Sequence, residues 1–163
     1  MILAIQQFID IWESETASTL ACFTNLTNES LDKELLNGYR TIERTANHIV
    51  DCAASIPYAA GLPLSYEKQH NNTVQGLIEA YTKATDKVKE AILVWTDDEL
   101  QEEIPMYGET WKKGFALWIT VAHQAHHRGQ LTILMRMAGV KVPGVYGPAK
   151  EEWEATPFLP PAD

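Results

Sequence analysis

Residues 111–138 read WKKGFALWITVAHQAHHRGQLTILMRMA, and this stretch predicts the longest helix of the chain. Its apolar residues recur at helical spacing, which predicts one face that packs against a core. This predicted core stripe consists of Phe115, Trp118, Ile119, Ala122, Ile133 and Met137. Gly139 and then Pro143 end the helix, because glycine accepts a left-handed cap and proline cannot continue a helix. Gly129 costs a helix interior about 1 kcal/mol relative to alanine, which predicts a close approach of two backbones there.

Three further segments carry helical periodicity, at about residues 3–23, 41–60 and 74–95. The second shows it most clearly, since its small and apolar residues alternate at spacings of four and three; they are Ile42, Ala46, Ile49, Ala53, Ile56 and Ala60. No segment predicts a sheet, although residues 104–110 allow a small turn or hairpin. We therefore predict a single all-α domain over residues 1–163, a four-helix bundle wrapped by an irregular, proline-rich C-terminal tail.

Composition and charge exclude several classes of function. The 163 residues carry 22 acidic and 13 basic side chains, and the resulting net charge of -9 repels nucleic acid. Apolar runs are shorter than the roughly 20 residues that span a bilayer, and the N-terminus lacks the basic region of a signal peptide. Cys22 and Cys52 show no pairing pattern. These features predict a reduced, cytoplasmic protein without membrane or direct nucleic-acid partners.

Three of the five histidines fall within residues 123–127. Helical residues four apart lie one above the other, with Cβ atoms about 5–6 Å apart, so His123 and His127 can bind one ion. Helical zinc hydrolases place a glutamate between two such histidines; its absence here argues against a metalloprotease of that type. His126 falls inside the predicted core stripe, which indicates a core histidine.

His48 is the candidate third ligand, because it flanks the periodic seam of the second helix. Three neutral imidazoles leave a coordination position open, as in catalytic sites. They suit zinc and nickel first, and also copper, iron or manganese. Cys52 is interpreted as a small buried residue, with a ligand or reactive thiol as the alternative. Asp51 is interpreted as a solvated or pocket carboxylate rather than a ligand.

Residues 123–147, HQAHHRGQLTILMRMAGVKVPGVYG, together with TANHIV at 45–50, resemble the DinB/YfiT-like superfamily. The resemblance covers essentially the whole chain. It implies an up-down-down-up four-helix bundle, often a homodimer, with one divalent metal ion on His48, His123 and His127. Relatives include maleylpyruvate isomerases and transferases that use bacillithiol or mycothiol, which implies a low-molecular-weight thiol as cosubstrate.

Three functions stay open on the sequence. The first is a metal-dependent thiol S-transferase acting on a small molecule. The second is a metal-dependent hydrolase of a small amide or ester, which needs a general base such as Asp51 or His126. The third is a non-catalytic, metal-stabilised binding protein, which a fourth ligand such as Cys52 would favour.

Four further residues, and the assembly, complete these expectations. Gln130 faces the predicted pocket, whereas Arg128 points away from it and is interpreted as structural. Tyr146 and Trp153 lie in the tail, where they can fold over the pocket mouth. A homodimer is expected because the fourth helix carries apolar residues away from its predicted core side: Leu117, Val121, Leu131 and Met135.

Overall fold

The computed structural model describes residues 1–157 and 159, so part of the predicted tail lies outside the described residues. The α-helices are α1 (Ile5–Thr24), α2 (Asn28–Leu31), α3 (Ile42–Ala59), α4 (Val74–Ala91) and α5 (Lys113–Met137). Two strands, β1 (Glu103–Met106) and β2 (Glu109–Lys112), pair antiparallel. Short 3-10 turns cover Ile92–Val94, Asp98–Gln101 and Lys150–Ala155. Helices α1, α3, α4 and α5 pack together, which confirms the predicted all-α bundle.

Contacts between helix ends give the direction of each helix. The Ile2 amide donates to the Gly114 carbonyl at 3.1 Å, so α1 and α5 start at the same end of the bundle. Asn47 near the start of α3 bonds Asn71, just before α4, at 2.7 and 2.8 Å. Asn28, just beyond α1, accepts from the first amide of α4 at 2.9 Å. Consequently α1 and α5 run up while α3 and α4 run down, the up-down-down-up order.

The predicted seam of the second helix is buried along its whole length. All six of its residues are at most 5% exposed. Thr41 caps this helix, since its side chain accepts from the Arg44 amide at 3.2 Å. Thr73 caps α4 in the same way through the Gly76 amide at 3.1 Å. The caps and the seam together place α3 and α4 where the sequence predicts them.

The predicted core face of α5 is wrong. Its buried apolar residues are Ala116, Leu117, Val121, Leu131, Leu134 and Met135. Four members of the predicted core stripe are instead exposed: Phe115, Trp118, Ile133 and Met137. The helix has apolar residues on two faces, and the buried face also contains polar residues that bond to other helices. Gln124 donates to the Ile49 carbonyl at 3.0 Å, and Arg128 pairs with Glu15 at 2.6 Å.

The small hairpin that the sequence allowed at residues 104–110 is present as β1 and β2, and it extends over Trp111 and Lys112, where the fourth helix was predicted to begin. Tyr107 and Gly108 form its two-residue turn, with positive φ values of 51° and 86°. Trp111 consequently lies in β2, where its ring packs edge-on against Phe115. None of the helices in the described ranges combines the length and apolar composition that a membrane span requires.

The close backbone approach predicted at Gly129 is also wrong. A Cβ atom at Gly129 would have no neighbour within 4 Å. The crowded glycine of α5 is Gly114, where a Cβ atom would collide with the Ile2 carbonyl oxygen. The N-terminal segment crosses the start of α5 at this point, which periodicity within α5 cannot reveal.

Candidate metal centre

Three imidazoles meet where α3 and α5 run antiparallel. The Nε2 atom of His127 lies 3.0 Å from Nε2 of His48 and 3.3 Å from Nε2 of His123. Nitrogens that each lie 2.0–2.1 Å from a tetrahedral ion are about 3.3–3.4 Å apart. These two separations are therefore close to those of nitrogens that share one divalent ion.

The surroundings keep the three imidazoles neutral. Burial, reinforced by the charges of His127 and Arg40, lowers the pKa of His48 from 6.5 to about 4. Burial is also the largest cause that lowers the pKa values of His123 and His127. Because a histidine must be deprotonated to bind a metal, this environment favours coordination at neutral pH.

Gln130 orients one of the imidazoles. His127 donates from Nδ1 to the Gln130 side-chain oxygen at 2.7 Å, which leaves the Nε2 lone pair facing the other two rings. The amide nitrogen of Gln130 donates to Nε2 of His126 at 3.0 Å. His126 is exposed, not a core histidine as predicted, because α5 buries the opposite face. His123 Nδ1 is buried without a hydrogen-bond partner in the described part of the chain.

Cys52 lies one helical turn after His48 and is buried. Its sulfur is 3.6 Å from Nε2 and 3.7 Å from Nδ1 of His48. The ligand atoms of His48, Cys52 and His123 all lie within 4.8 Å of one another, so this group can hold a metal ion. Burial and the nearby Asp51 charge raise the pKa of the Cys52 thiol to about 11.

Two overlapping sets of ligand atoms therefore share His48 and His123. His127 completes one set through nitrogen, and Cys52 completes the other through sulfur. The known separations are 3.0 and 3.3 Å in the nitrogen set and 3.6 Å in the sulfur set, and the His48–His123 separation, shared by both, is below 4.8 Å. Both sets are compatible with one coordination shell.

Asp51 lies beside this group but already has two partners. Its carboxylate accepts a short hydrogen bond from the Tyr66 hydroxyl and lies 3.9 Å from Lys68 Nζ. Burial and this bond raise the pKa of Tyr66 to about 12. The sequence did not indicate Tyr66, because it lies in the aperiodic connection between α3 and α4.

Tyr107, in the turn of the hairpin, is largely exposed and its ring contacts Trp111. Partial burial raises the pKa of Tyr107, and the charges of Cys52 and Asp51 add to the effect.

The two tail residues predicted near the pocket mouth have other surroundings. The Tyr146 hydroxyl donates to Glu15 at 2.9 Å and accepts from Arg128 at 2.7 Å. Tyr146 thus covers the buried Arg128–Glu15 pair, in line with the structural role predicted for Arg128. Trp153 is half-buried in the Lys150–Ala155 turn.

An open cleft of about 580 Å³ adjoins His48. That volume is typical of sites for small molecules. The residues that line it come from the start of α3 and from the connection to α4: Arg40, Arg44, Asn47, His48, Asp51, Lys68, Gln69 and His70. The cleft gives a small molecule room beside His48.

Comparison with known proteins identifies relatives of the whole chain. The model of the DinB family matches residues 1–161. The Bacillus subtilis (strain 168) protein YrdA is 36% identical over 157 residues, 94% of each chain. A DinB-like protein of Bacillus cereus ATCC 10987 superimposes with a TM-score of 0.85 at 35% identity, over 90% of this chain and 100% of that one. The DinB-like YjoA of Bacillus subtilis shares the fold, with a TM-score of 0.68 at 17% identity over 85% and 96% of the two chains.

Proposed function

The chain belongs to the DinB family, and from this we propose that it is a metal-dependent thiol S-transferase acting on small molecules. The observation that carries the proposal is the convergence of three Nε2 atoms at 3.0 and 3.3 Å. His48, His123 and His127 would hold one divalent ion, with zinc or nickel favoured by imidazole ligands.

Three neutral ligands leave room for a small molecule at the centre. An ion held there supplies Lewis acidity that favours the thiolate form of a bound thiol. The thiol proton leaves to solvent through the open cleft, and the sulfur forms a bond to an electrophilic carbon of the second substrate. The bond from that carbon to its leaving group breaks, and the leaving group takes the electron pair. Gln130 contributes by holding His127 in the tautomer that presents Nε2.

The expectations about nucleic-acid binding and cellular location rest on the net charge and on the two cysteines. The net charge of -9 opposes direct nucleic-acid binding. Cys22 and Cys52 are both free thiols, which supports a reducing, cytoplasmic location. We also propose a homodimer, which buries the exposed apolar stripe of α5 against a second copy of the chain.

Elemental analysis of tag-free protein followed by a screen of thiols against electrophiles tests the proposed activity. We expect one ion per chain and metal-dependent consumption of thiol. His123→Ala should abolish both, whereas His126→Ala should retain both, since His126 is exposed and contacts Gln130 rather than the other Nε2 atoms. Thiol transfer that persists in metal-free His123→Ala would contradict the proposal.

A structural metal site is the second candidate, and the position of Cys52 favours it. The 3.6 Å between its sulfur and His48 Nε2 is close to the separation of about 3.5–3.6 Å expected for sulfur and nitrogen on one tetrahedral zinc. Four protein ligands would close the shell and make metal binding part of folding. A chelator should then abolish the helical circular dichroism at room temperature. The enzyme account expects retained helicity and a drop of a few degrees in Tm.

The hydrolase hypothesis has weaker support from the geometry. It needs a free general base beside the ion. Asp51 is engaged by Tyr66 and Lys68, and His126 is exposed and bonded to Gln130. We therefore rank it below the transferase.

A further inference from the structure

Two arginines of this acidic chain form ion pairs, and the other two line the cleft beside His48. Arg128 pairs with Glu15 at 2.6 Å, and Arg136 pairs with Glu151 at 2.8 Å. The other two arginines, Arg40 and Arg44, both line the cleft. Within the described ranges, neither of them forms an ion pair with a carboxylate.

The acidic groups around the cleft already have partners. Asp51 accepts from Tyr66 and lies 3.9 Å from Lys68. Glu43 lies 2.8 Å from the His70 ring. Neither of these two carboxylates is paired with Arg40 or Arg44.

The position of the two arginines also links them to the metal centre. Arg44 lies in the first turn of α3, and His48 follows it by four residues on the same face. Arg40 precedes this helix and lines the same cleft as Arg44 and His48. Cations at a helix N-terminus are disfavoured by the helix dipole, so stability alone does not account for this placement.

We propose that Arg40 and Arg44 bind an anionic group, a carboxylate or phosphate, of the small molecule whose sulfur reacts beside the three histidines. The inference rests on the proposed function and names its substrate class. Guanidinium groups suit this task because their paired N–H donors match the oxygens of a carboxylate or phosphate. The cleft of about 580 Å³ has room for the rest of the molecule.

Paired thiol probes test the inference through binding rather than turnover. Mercaptosuccinate and its uncharged diamide are titrated into Co²⁺-loaded protein, and sulfur-to-cobalt absorption gives each Kd. We expect the wild type to prefer the dianion by about tenfold or more at low salt, and added salt to narrow the preference. Arg40→Gln and Arg44→Gln should each lose most of the preference and leave the Kd of the diamide unchanged.

Arg136→Gln is the matched control. It removes the same charge from α5 nine residues beyond His127, about 13 Å along the helix. This variant should keep the wild-type preference. An equal preference for the dianion in wild type, Arg40→Gln and Arg44→Gln would overturn the inference.

Binding of succinate and succinamide, which carry no thiol, tests the anion site independently of the proposed transferase function. Calorimetry of both compounds tests the arginines without any thiol. Succinate binding that Arg40→Gln weakens would support the anion site, even if neither thiol binds cobalt and the transferase proposal fails. The anion site would be overturned if the protein bound succinate no better than succinamide and also bound the two thiols equally. That result would leave the proposed transferase function standing.

Discussion

At the scale of single residues, burial of the three imidazoles makes the stability of the metal-free chain depend on pH. The pKa of His48 is about 4 in the folded chain, against 6.5 for an ordinary histidine. The folded chain therefore binds fewer protons than the unfolded chain between these values, and stability falls as pH is lowered. We expect the free energy of unfolding without metal to be constant above about pH 6.5 with respect to this group.

Urea unfolding in the presence of a chelator, from pH 7 to pH 4, measures this dependence. Stability should decline progressively below about pH 6.5, as the unfolded chain takes up protons that the folded chain excludes. His48→Gln should show a shallower decline, because it removes the imidazole with the pKa of about 4. An identical slope in this variant and the wild type would refute the assignment.

Gln130 contacts a proposed metal ligand without being one, so its effect on metal affinity can be measured with all three histidines in place. It contacts Nδ1 of His127 at 2.7 Å and provides an oriented acceptor. Gln130→Met should weaken zinc affinity by about 10-fold or more, as expected when the outer partner of a ligating histidine is lost. Competition with a chelating dye measures the change. His126→Ala, which removes the other partner of Gln130, should alter affinity less.

The sequence indicates the candidate ligands but not their neighbours. His123 and His127 follow from local helix geometry, since a spacing of four places both on one face. His48 follows from its position beside a periodic seam. Tyr66 reaches Asp51 from the long connection between α3 and α4, whose sequence has no helical period that would predict this contact.

At the scale of secondary-structure elements, α5 shows why the periodicity of one helix can indicate the wrong face. Both faces of α5 carry large apolar side chains, so apolar content does not distinguish them. The buried face includes Gln124 and Arg128, whose polar groups are satisfied by Ile49 on α3 and Glu15 on α1. These partners are distant in sequence, and a helical wheel therefore treats both residues as solvent-facing.

The two glycines of α5 should respond oppositely to alanine. Within a single chain Gly129 is exposed with open space around its Cβ position, so Gly129→Ala should stabilise the monomer by about 0.5–1 kcal/mol. Gly114→Ala should destabilise it by about 1–3 kcal/mol, because the new methyl group would displace the Ile2 backbone. Urea denaturation of the two variants measures both effects. A loss of stability in Gly129→Ala would contradict the open packing there.

At the scale of the whole molecule, the bundle could be predicted because the sequence marks three of its helices clearly. Each of these helices has periodic apolar residues, a capping residue or a glycine and proline that end it. The direction of the helices depends on contacts such as Ile2 with Gly114, which no local pattern contains. The predicted surplus of apolar surface on α5 is present, although on the opposite face: Phe115, Trp118, Ile133 and Met137 are 36–59% exposed. The homodimer is therefore expected to form through this exposed stripe and not through the apolar residues that the sequence pattern indicates.

Sedimentation of the stripe variants tests the proposed homodimer. The wild type should sediment at twice the 18.3 kDa mass of the chain at micromolar concentration. Ile133→Glu should shift it to monomer, because a charge in an apolar interface must be desolvated on association. Val94→Glu is the control, since Val94 is equally apolar and 67% exposed but lies outside α5. A monomeric wild type would contradict the proposal.

X-ray absorption of tag-free, zinc-loaded protein without added thiol tests the central claim most directly. The claim is that His48, His123 and His127 bind the ion and leave Cys52 outside its coordination shell. We predict nitrogen or oxygen neighbours at about 2.0–2.1 Å, no sulfur neighbour, and the same spectrum for Cys52→Ala. A sulfur neighbour at about 2.3 Å that disappears in Cys52→Ala would contradict it and identify a closed site that includes the cysteine.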